Sequence, residues 1–277
     1  MRTDREAGMY ALRKPCILHA LITIPKTMTK NLFKMACAAA LSLVSFTANA
    51  QKLHFVSELE TAHLWRGLEV SKGLTFDNDV SISDNNDHFR FGLWGGMQTD
   101  GDYKEFDYYA SYTHGGFKLA VWDIYNFSDG IYANDKAYRI FNYNARTTGH
   151  FIDAAVSYDF GEKFPLSLSW STIIAGRDRG ALNDKNLYST FVQASYKVYE
   201  DEDFVVTPSV GAAFALSPED GSHATFYGKS AGVNDVRVNV TYKLKIGRHP
   251  MPVTATAMWN PEANKGYFRA SIKLLDI

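Results

Sequence analysis

Apolar and polar residues alternate along most of the chain after residue 50. The clearest runs are 236–246, 188–198, 268–274 and 166–172. A period of two gives a strand one apolar and one polar face, whereas a helix would scatter these apolar positions around its surface. The pattern therefore predicts an all-β chain after residue 50.

Twelve segments of this kind can be marked out, most of them about ten residues long, which is the length of a tilted strand that crosses a bilayer. Their predicted spans are 53–66, 73–83, 88–98, 103–113, 116–127, 150–160, 164–175, 187–199, 203–216, 233–246, 251–259 and 266–275.

The connections between these segments differ in length. Those after the second, fourth, sixth, eighth and tenth strands are short, while 128–149, 176–186 and 217–232 are long and polar. Outer-membrane barrels combine short periplasmic turns, long external loops and an even number of strands. The sequence therefore predicts an antiparallel up-and-down transmembrane β-barrel of about twelve strands, with both chain ends on the periplasmic side.

Alternation alone also fits a soluble β-sandwich, in which the apolar faces point inward. Aromatic residues near the strand ends favour the membrane barrel, because such residues form girdles at the two membrane interfaces. The tryptophans predicted to lie in these girdles are Trp65, Trp94, Trp122, Trp170 and Trp259.

The N-terminal part has the order of a secretory signal peptide. A basic stretch at 28–34 precedes an apolar run at 35–46, and Ala48-Asn49-Ala50 follows as a small-x-small cleavage site. The apolar run is too short to cross a membrane as a helix. We predict an upstream extension from a misplaced start codon at 1–27, a signal peptide at 28–50 and a barrel domain at 51–277.

The predicted cleavage changes both the cysteine content and the net charge of the remaining chain. Cys16 and Cys37 both precede the predicted cleavage site, so the barrel domain has no cysteine and no disulfide framework. Removing the basic N-terminal segment also leaves the barrel domain net acidic, which argues against a nucleic-acid partner.

Two motifs of known enzymatic chemistry are absent from the sequence. It contains no His-Glu-x-x-His and no phosphate-binding glycine loop. No histidine after residue 50 pairs with another at metal-ligand spacing within a strand. The segment from Asp77 to Ser81 has the Asp-x-Asp start of a calcium loop but lacks its glycine, so a strand with lumenal acids is favoured. We expect no catalytic residue, no metal and no cofactor.

Three stretches resemble a known family. The segment around Trp65, Arg66, Gly67 and Ser71 is similar to the opening strand and first turn of the TorF-type porins, and 89–96 and 105–112 resemble the family's third and fourth strands. The resemblance covers mainly residues 57–127 and implies a small exported barrel with no catalytic residue. For Arg66 and Gly67 we favour a structural role over substrate contact: Gly67 allows a positive φ at a strand end, and Arg66 pairs with a lumenal acid such as Glu58 or Glu60.

These observations together predict a porin in the outer membrane of a Gram-negative bacterium, which passes small polar solutes or ions passively. Its other expected partners are membrane lipid, lipopolysaccharide and the barrel-assembly machinery. Two alternatives stay open from sequence: a lipid hydrolase built on a barrel, and a structural or adhesive barrel plugged by its own side chains.

Parity of the alternating strands predicts which side chains line the lumen. If the apolar faces point outward, acids of the first six strands and bases of the eighth, tenth and twelfth strands point inward. We expect these acids and bases to form opposed walls, which either set a field across the pore or close it with salt bridges. The lumenal candidates are Glu58, Glu60, Asp77, Asp79, Asp107, Asp153, Lys197, Arg237, Lys243, Lys245, Arg269 and Lys273.

Overall fold

The structure is a computed structural model that describes residues 51–277; the predicted extension at 1–27 and signal peptide at 28–50 lie outside the described residues. Twelve antiparallel strands form one closed barrel, in which each strand pairs with its neighbours in the chain and β1 pairs with β12. The strands are β1 (Gln51–Glu60), β2 (Thr75–Asp84), β3 (Phe89–Gln98), β4 (Lys104–His114), β5 (Phe117–Asn126), β6 (His150–Asp159), β7 (Leu166–Gly176), β8 (Ser189–Tyr196), β9 (Phe204–Ala215), β10 (Gly232–Tyr242), β11 (Val253–Asn260) and β12 (Lys265–Asp276).

The predicted all-β class and twelve-stranded up-and-down barrel are confirmed, and the two-sheet sandwich is wrong. Because the topology is up-and-down, the three predicted long loops lie at one end of the barrel. The described chain begins and finishes at the other end, where the Phe55 amide donates to the Ile277 carbonyl at 2.9 Å. A 3-10 turn (Asp135–Tyr138) lies in the loop between β5 and β6. Among residues 51–277, no helix is long and apolar enough to cross a membrane.

The apolar faces of the strands point away from the lumen. Leu93 is 49% exposed and Phe268 is 66% exposed, although both are large apolar residues within barrel strands. The same outer surface carries Phe76, Val80, Leu119, Val121, Leu168, Val210, Val236, Val238 and Val240. Soluble monomers rarely expose apolar surface this extensive, so the barrel presents a surface suited to an apolar environment.

The first predicted strand, 53–66, is wrong after Glu60. The chain leaves the barrel wall there and forms a separate antiparallel hairpin (His63–Trp65 with Leu68–Ser71) before β2 begins at Thr75. We call residues 61–74 the inner hairpin, because its side chains pack inside the barrel. The predicted tenth strand is also too long, since β10 ends at Tyr242 and Lys245–Ile246 belongs to a short turn hairpin with His249–Pro250.

A two-residue turn forms the tip of the inner hairpin. Arg66 has φ 45° and Gly67 has φ 82°, the two positive values that a tight hairpin turn of primed type requires. A Cβ at position 67 would lie 2.2 Å from the carbonyl oxygen of Asn234. The expected positive φ of Gly67 is confirmed, but it serves this tip and not the end of a barrel strand.

The inner hairpin fills one side of the lumen with apolar packing. Trp65 and Leu68 pack against a buried cluster contributed by β5 to β9 and by the loop before β10. The buried members of this cluster are Ile124, Phe151, Ile173, Phe191, Ala213 and Tyr227. The backbone of the tip is also held, because side-chain amides of Asn234 and Asn260 donate to the carbonyls of Arg66 and Gly67 at 3.0 and 2.9 Å.

Three of the five tryptophans predicted for interfacial girdles lie inside the barrel. Trp65 belongs to the inner hairpin, and Trp94 and Trp122 line lumenal cavities. Trp170 and Trp259 are 43% and 51% exposed and lie on the outer surface. Sequence position near a strand end did not distinguish the two groups, because the direction of a side chain depends on parity within the strand.

Candidate functional site in the barrel lumen

Arg66 joins the tip of the inner hairpin to the opposite part of the barrel wall. Its guanidinium donates two hydrogen bonds to the Asp153 carboxylate, at 2.9 and 2.6 Å, and one to the Tyr227 hydroxyl at 2.7 Å. The group also lies 4.6 Å from the centre of the Trp65 ring. Arg66 therefore pairs with a lumenal acid, but the expected partners Glu58 and Glu60 are wrong, because the hairpin carries Arg66 away from β1 to β6.

Polar cavities occupy the lumen on the β1–β6 side of the inner hairpin. A cavity of about 660 Å³ near the short turns adjoins one of about 320 Å³, and both are lined by His63, Trp94 and Trp122. The second adjoins a third cavity of about 520 Å³ toward the long loops, and these two share His63, Trp65, Glu105 and Ile124. The cavities thus follow one another past the inner hairpin, while apolar packing fills the other side.

A buried network of charged groups lies where the inner hairpin leaves β1. Oε1 of Glu60 lies 2.6 Å from Nδ1 of His63. The other carboxylate oxygen, Oε2, accepts a hydrogen bond from Arg269 at 2.8 Å. Glu60 is 2% exposed, and Asp77 on the neighbouring strand β2 is 7% exposed. The Oδ1 atom of Asp77 is buried and has no hydrogen-bond partner among the described residues. The network therefore contains two adjacent carboxylates, one imidazole and one arginine.

The predicted lumenal acids all lie beside these cavities. Glu58, Glu60, Asp77 and Asp79 line the largest cavity together with Arg269, and Asp107 and Asp153 line the smallest of the three. The four family-like residues, Trp65, Arg66, Gly67 and Ser71, all belong to the inner hairpin. Ser71 closes its base by donating to Oε1 of Gln98 at 2.7 Å.

The predicted lumenal bases are more scattered than the predicted acids, and three of them pair with acids close to them in the chain. Arg237 forms an ion pair with Asp235 on its own strand. Lys197 and Lys243 both pair with Glu200 in the short turn before β9, and Lys245 is exposed in the turn hairpin after β10. Lys273 pairs with Asp276 near the end of β12, at 2.8 Å.

The expectation of opposed acidic and basic walls is wrong. Barrel closure places β12 directly beside β1, so that Lys273 lies opposite Glu58 in register and Arg269 donates to Glu60. Arg237 is neutralised by Asp235, an acid on the same inward face that the sequence assignment omitted. The bases of β10 and β12 therefore pair with neighbouring acids instead of facing them across the lumen.

Arg177 and Glu105 are lumenal groups that the sequence analysis missed. The Arg177 guanidinium lies 4.8 and 5.0 Å from the centres of the Phe226 and Phe151 rings and forms no salt bridge among residues 51–277. It lines the 520 Å³ cavity with Glu105. Glu105 shares the inward parity of Asp107 and was detectable for that reason, whereas Arg177 follows the end of β7 and has no periodic signal.

The turn between β8 and β9 gives a pH-dependent prediction. Hydrogen bonds from Lys197 and Lys243 lower the pKa of Glu200 from 4.5 to about 2. A carboxyl whose pKa is lower in the folded state stabilises the fold above pH 4.5, and this contribution is lost as the pH falls toward 2. We expect Glu200→Gln to make the unfolding midpoint less dependent on pH between 4.5 and 2, measured by urea unfolding across that range.

Glu202 provides the matched control for this measurement. It lies in the same turn and forms no ion pair among the described residues. Glu202→Gln should therefore keep the pH dependence of the parent protein. Equal flattening by both variants would show that overall charge, and not the Lys197–Glu200–Lys243 contact, causes the effect.

Comparison with known proteins identifies remote structural neighbours. No protein-family model matches the chain, and no curated protein matches it. An engineered mutant of Rh. blastica porin aligns with 11% identity and a TM-score of 0.37, over 73% of this chain and 55% of the porin. Wzi of Escherichia coli, an outer-membrane carbohydrate-binding β-barrel involved in group 1 capsule assembly, aligns with 8% identity and a TM-score of 0.31, over 79% of this chain and 55% of Wzi.

A BenF-like porin from Pseudomonas fluorescens Pf-5 aligns with 10% identity and a TM-score of 0.32, over 83% of this chain and 65% of that porin. The chain thus spans about half the length of the Rh. blastica porin and of Wzi. The strand pairing of this chain, and not these distant similarities, establishes its barrel. Membership of the TorF-type family stays a prediction.

Proposed function

We propose that this protein is a small outer-membrane channel, in which small polar solutes or ions pass along the β1–β6 side of the inner hairpin. The observation that carries the proposal is the series of adjoining polar cavities inside a closed barrel whose outer surface is apolar. The resemblance of residues 57–127 to the TorF-type porins points in the same direction.

Two features support a location in the membrane. In hydrocarbon every backbone polar group needs a partner, and a closed barrel supplies one through its strand pairing. Ten of the strands have 10 to 12 residues, which suits a tilted crossing, and their outward positions carry many exposed large apolar residues. Export by the predicted signal peptide, insertion by the barrel-assembly machinery and contact with lipopolysaccharide are parts of the same proposal.

The distribution of polar and apolar contacts supports a narrow passage over a fully plugged barrel. The buried members of the apolar cluster around Phe191 and Tyr227 do not line the 660 Å³ cavity, although Ile124 and Phe151 form part of the wall of the 520 Å³ cavity. Charged and polar side chains line the near side, and their field would attract and orient polar solutes. The indole rings of Trp94 and Trp122 lie where the first two cavities meet, so we propose that they set the width of the passage.

Single-channel recording in planar bilayers with EDTA tests the proposal. We expect the parent protein to give small, discrete conductance steps. Trp122→Ala should raise the conductance several-fold, because it removes an indole from the junction between two cavities.

Trp170→Ala is the control, since it removes the same side chain from the outer surface and should leave conductance unchanged. Absence of conductance in both the parent and the Trp122→Ala variant would contradict the channel. Hydrolysis of phospholipid or lipopolysaccharide by such a silent protein would favour the hydrolase alternative instead.

A further inference from the structure

We infer that Glu60, His63 and Asp77 form a binding site for a divalent transition-metal ion, of which Zn²⁺ is the representative case. The three side chains come from different elements: the end of β1, the inner hairpin and β2. Each offers one ligand atom, and the three atoms lie within 4.8 Å of one another. Ligands of Zn²⁺ lie about 2.0–2.2 Å from the ion, so small side-chain rotations bring all three into coordination distance.

The unpartnered oxygen of Asp77 is a separate observation that favours a cation. A buried polar atom without a hydrogen bond is costly, and a buried carboxylate beside another carboxylate is more so. Arg269 compensates Glu60 through its Oε2 atom, but no base forms a salt bridge with Asp77 among residues 51–277. A metal ion between Asp77 and Oε1 of Glu60 would supply the missing positive charge.

The donor set selects the kind of ion. One imidazole nitrogen and two carboxylate oxygens suit Zn²⁺ and neighbouring transition metals, whereas Ca²⁺ and Mg²⁺ prefer ligand sets made of oxygen alone. The ligands are also held in place. Arg269 holds the Glu60 carboxylate, and the His63 ring contacts the rings of Trp94 and Tyr103, whose centres are 5.5 and 5.7 Å away.

An ion can reach this site from the lumen. Glu60, His63 and Asp77 all line the 660 Å³ cavity, and a fourth coordination position toward that cavity is open to water or a solute group. Five carboxylates and three basic side chains line this cavity, so its lining has a net negative charge that attracts cations. The sequence expectation of no metal considered spacing within single strands, and this set combines two residues three apart with one from the next strand.

Titration of the protein in detergent with Zn²⁺, monitored by calorimetry, tests the inference. Nε2 of His88 and Nδ1 of His114 lie 3.2 Å apart and offer a second binding place, so all variants carry His88→Ala. We expect one Zn²⁺ to bind this parent variant and to raise its melting temperature. Asp77→Asn and His63→Ala should each weaken binding at least ~tenfold and abolish the thermal shift.

Asp79→Asn is the matched control, because it removes the same charge from the same strand and cavity without removing a proposed ligand. Its zinc affinity should stay within about threefold of the parent. The inference is overturned if His63→Ala binds zinc as tightly as the parent, if Asp79→Asn weakens binding as much as Asp77→Asn, or if Ca²⁺ binds as tightly as Zn²⁺.

Folding of each variant is checked first by its strand content in circular dichroism. Should Asp77→Asn fail to fold, His63→Ala still decides the outcome, since it removes the only nitrogen ligand and keeps both carboxylates. The conductance experiment is run with EDTA and does not depend on this site. Loss of the metal proposal therefore leaves the channel proposal standing, and the reverse also holds.

Discussion

Replacing Arg66 by alanine is expected to destabilise the barrel by about 3–5 kcal/mol, the cost of removing one partner from a buried ion pair. Asp153 is 1% exposed and would keep its charge without the two hydrogen bonds that Arg66 donates. The Tyr227 hydroxyl would lose its donor as well. Urea unfolding of the protein in lipid vesicles, followed by tryptophan fluorescence, measures this loss.

A double variant separates the cost of the orphaned charge from the cost of lost packing. Arg66→Met with Asp153→Leu removes both charges and keeps apolar bulk, so we expect it to regain more than half of the lost stability. A loss below ~1 kcal/mol in Arg66→Ala would mean that the ion pair does not hold the inner hairpin. A double variant no more stable than the single one would mean that packing of the arginine side chain matters more than its charge.

Replacing Ala110 by arginine is expected to cost about 2–4 kcal/mol, the penalty of a charged side chain near the midplane of a membrane barrel's outer surface. Ala110 lies near the middle of β4 and is exposed on the outer face between Phe91 and Val121. The neighbouring residue Ser111 points the other way and lines the 660 Å³ cavity. Ser111→Arg should therefore cost much less.

This adjacent pair tests which face of the barrel meets lipid. Both residues are small and belong to one strand, so strand propensity and depth in the membrane are closely matched. The measurement is urea unfolding in lipid vesicles for both variants. Equal costs at positions 110 and 111, or a larger cost at 111, would contradict a lipid-facing outer surface.

Alternation along the strands determined the direction of the side chains. The side-chain period of a strand is two, so one correctly placed apolar residue sets the direction of every other residue in that strand. Val236, Val238 and Val240 are exposed on the outer surface for this reason, and Asp77 and Asp79 line the cavity on the other face. The up-and-down topology followed from short connections, because tight turns join antiparallel neighbours.

The inner hairpin is the part of the fold that alternation along the strands did not predict. The residues between Glu60 and Arg66 continue the alternation of β1. The alternation therefore gives no indication that the chain leaves the barrel wall at Glu60. A local signal did exist at Arg66-Gly67. Two residues that end in glycine and lie between two short runs with apolar residues are typical of a two-residue hairpin turn. Whether such a hairpin lies outside the barrel or inside it depends on packing against Phe151 and Tyr227, which come from distant parts of the chain.

The sequence by itself determined the fold class, the number of strands, the outward face and the identity of most lumenal acids, because these follow from local periodicity combined with the lengths of the strands and their connections. Only the tertiary structure decided which charges meet. Closure places β12 beside β1 and so pairs Arg269 with Glu60, and the inner hairpin brings Arg66 to Asp153, 87 residues away along the chain. Period and parity describe one strand at a time, whereas an ion pair or a metal site depends on distances between strands that only the closed barrel fixes.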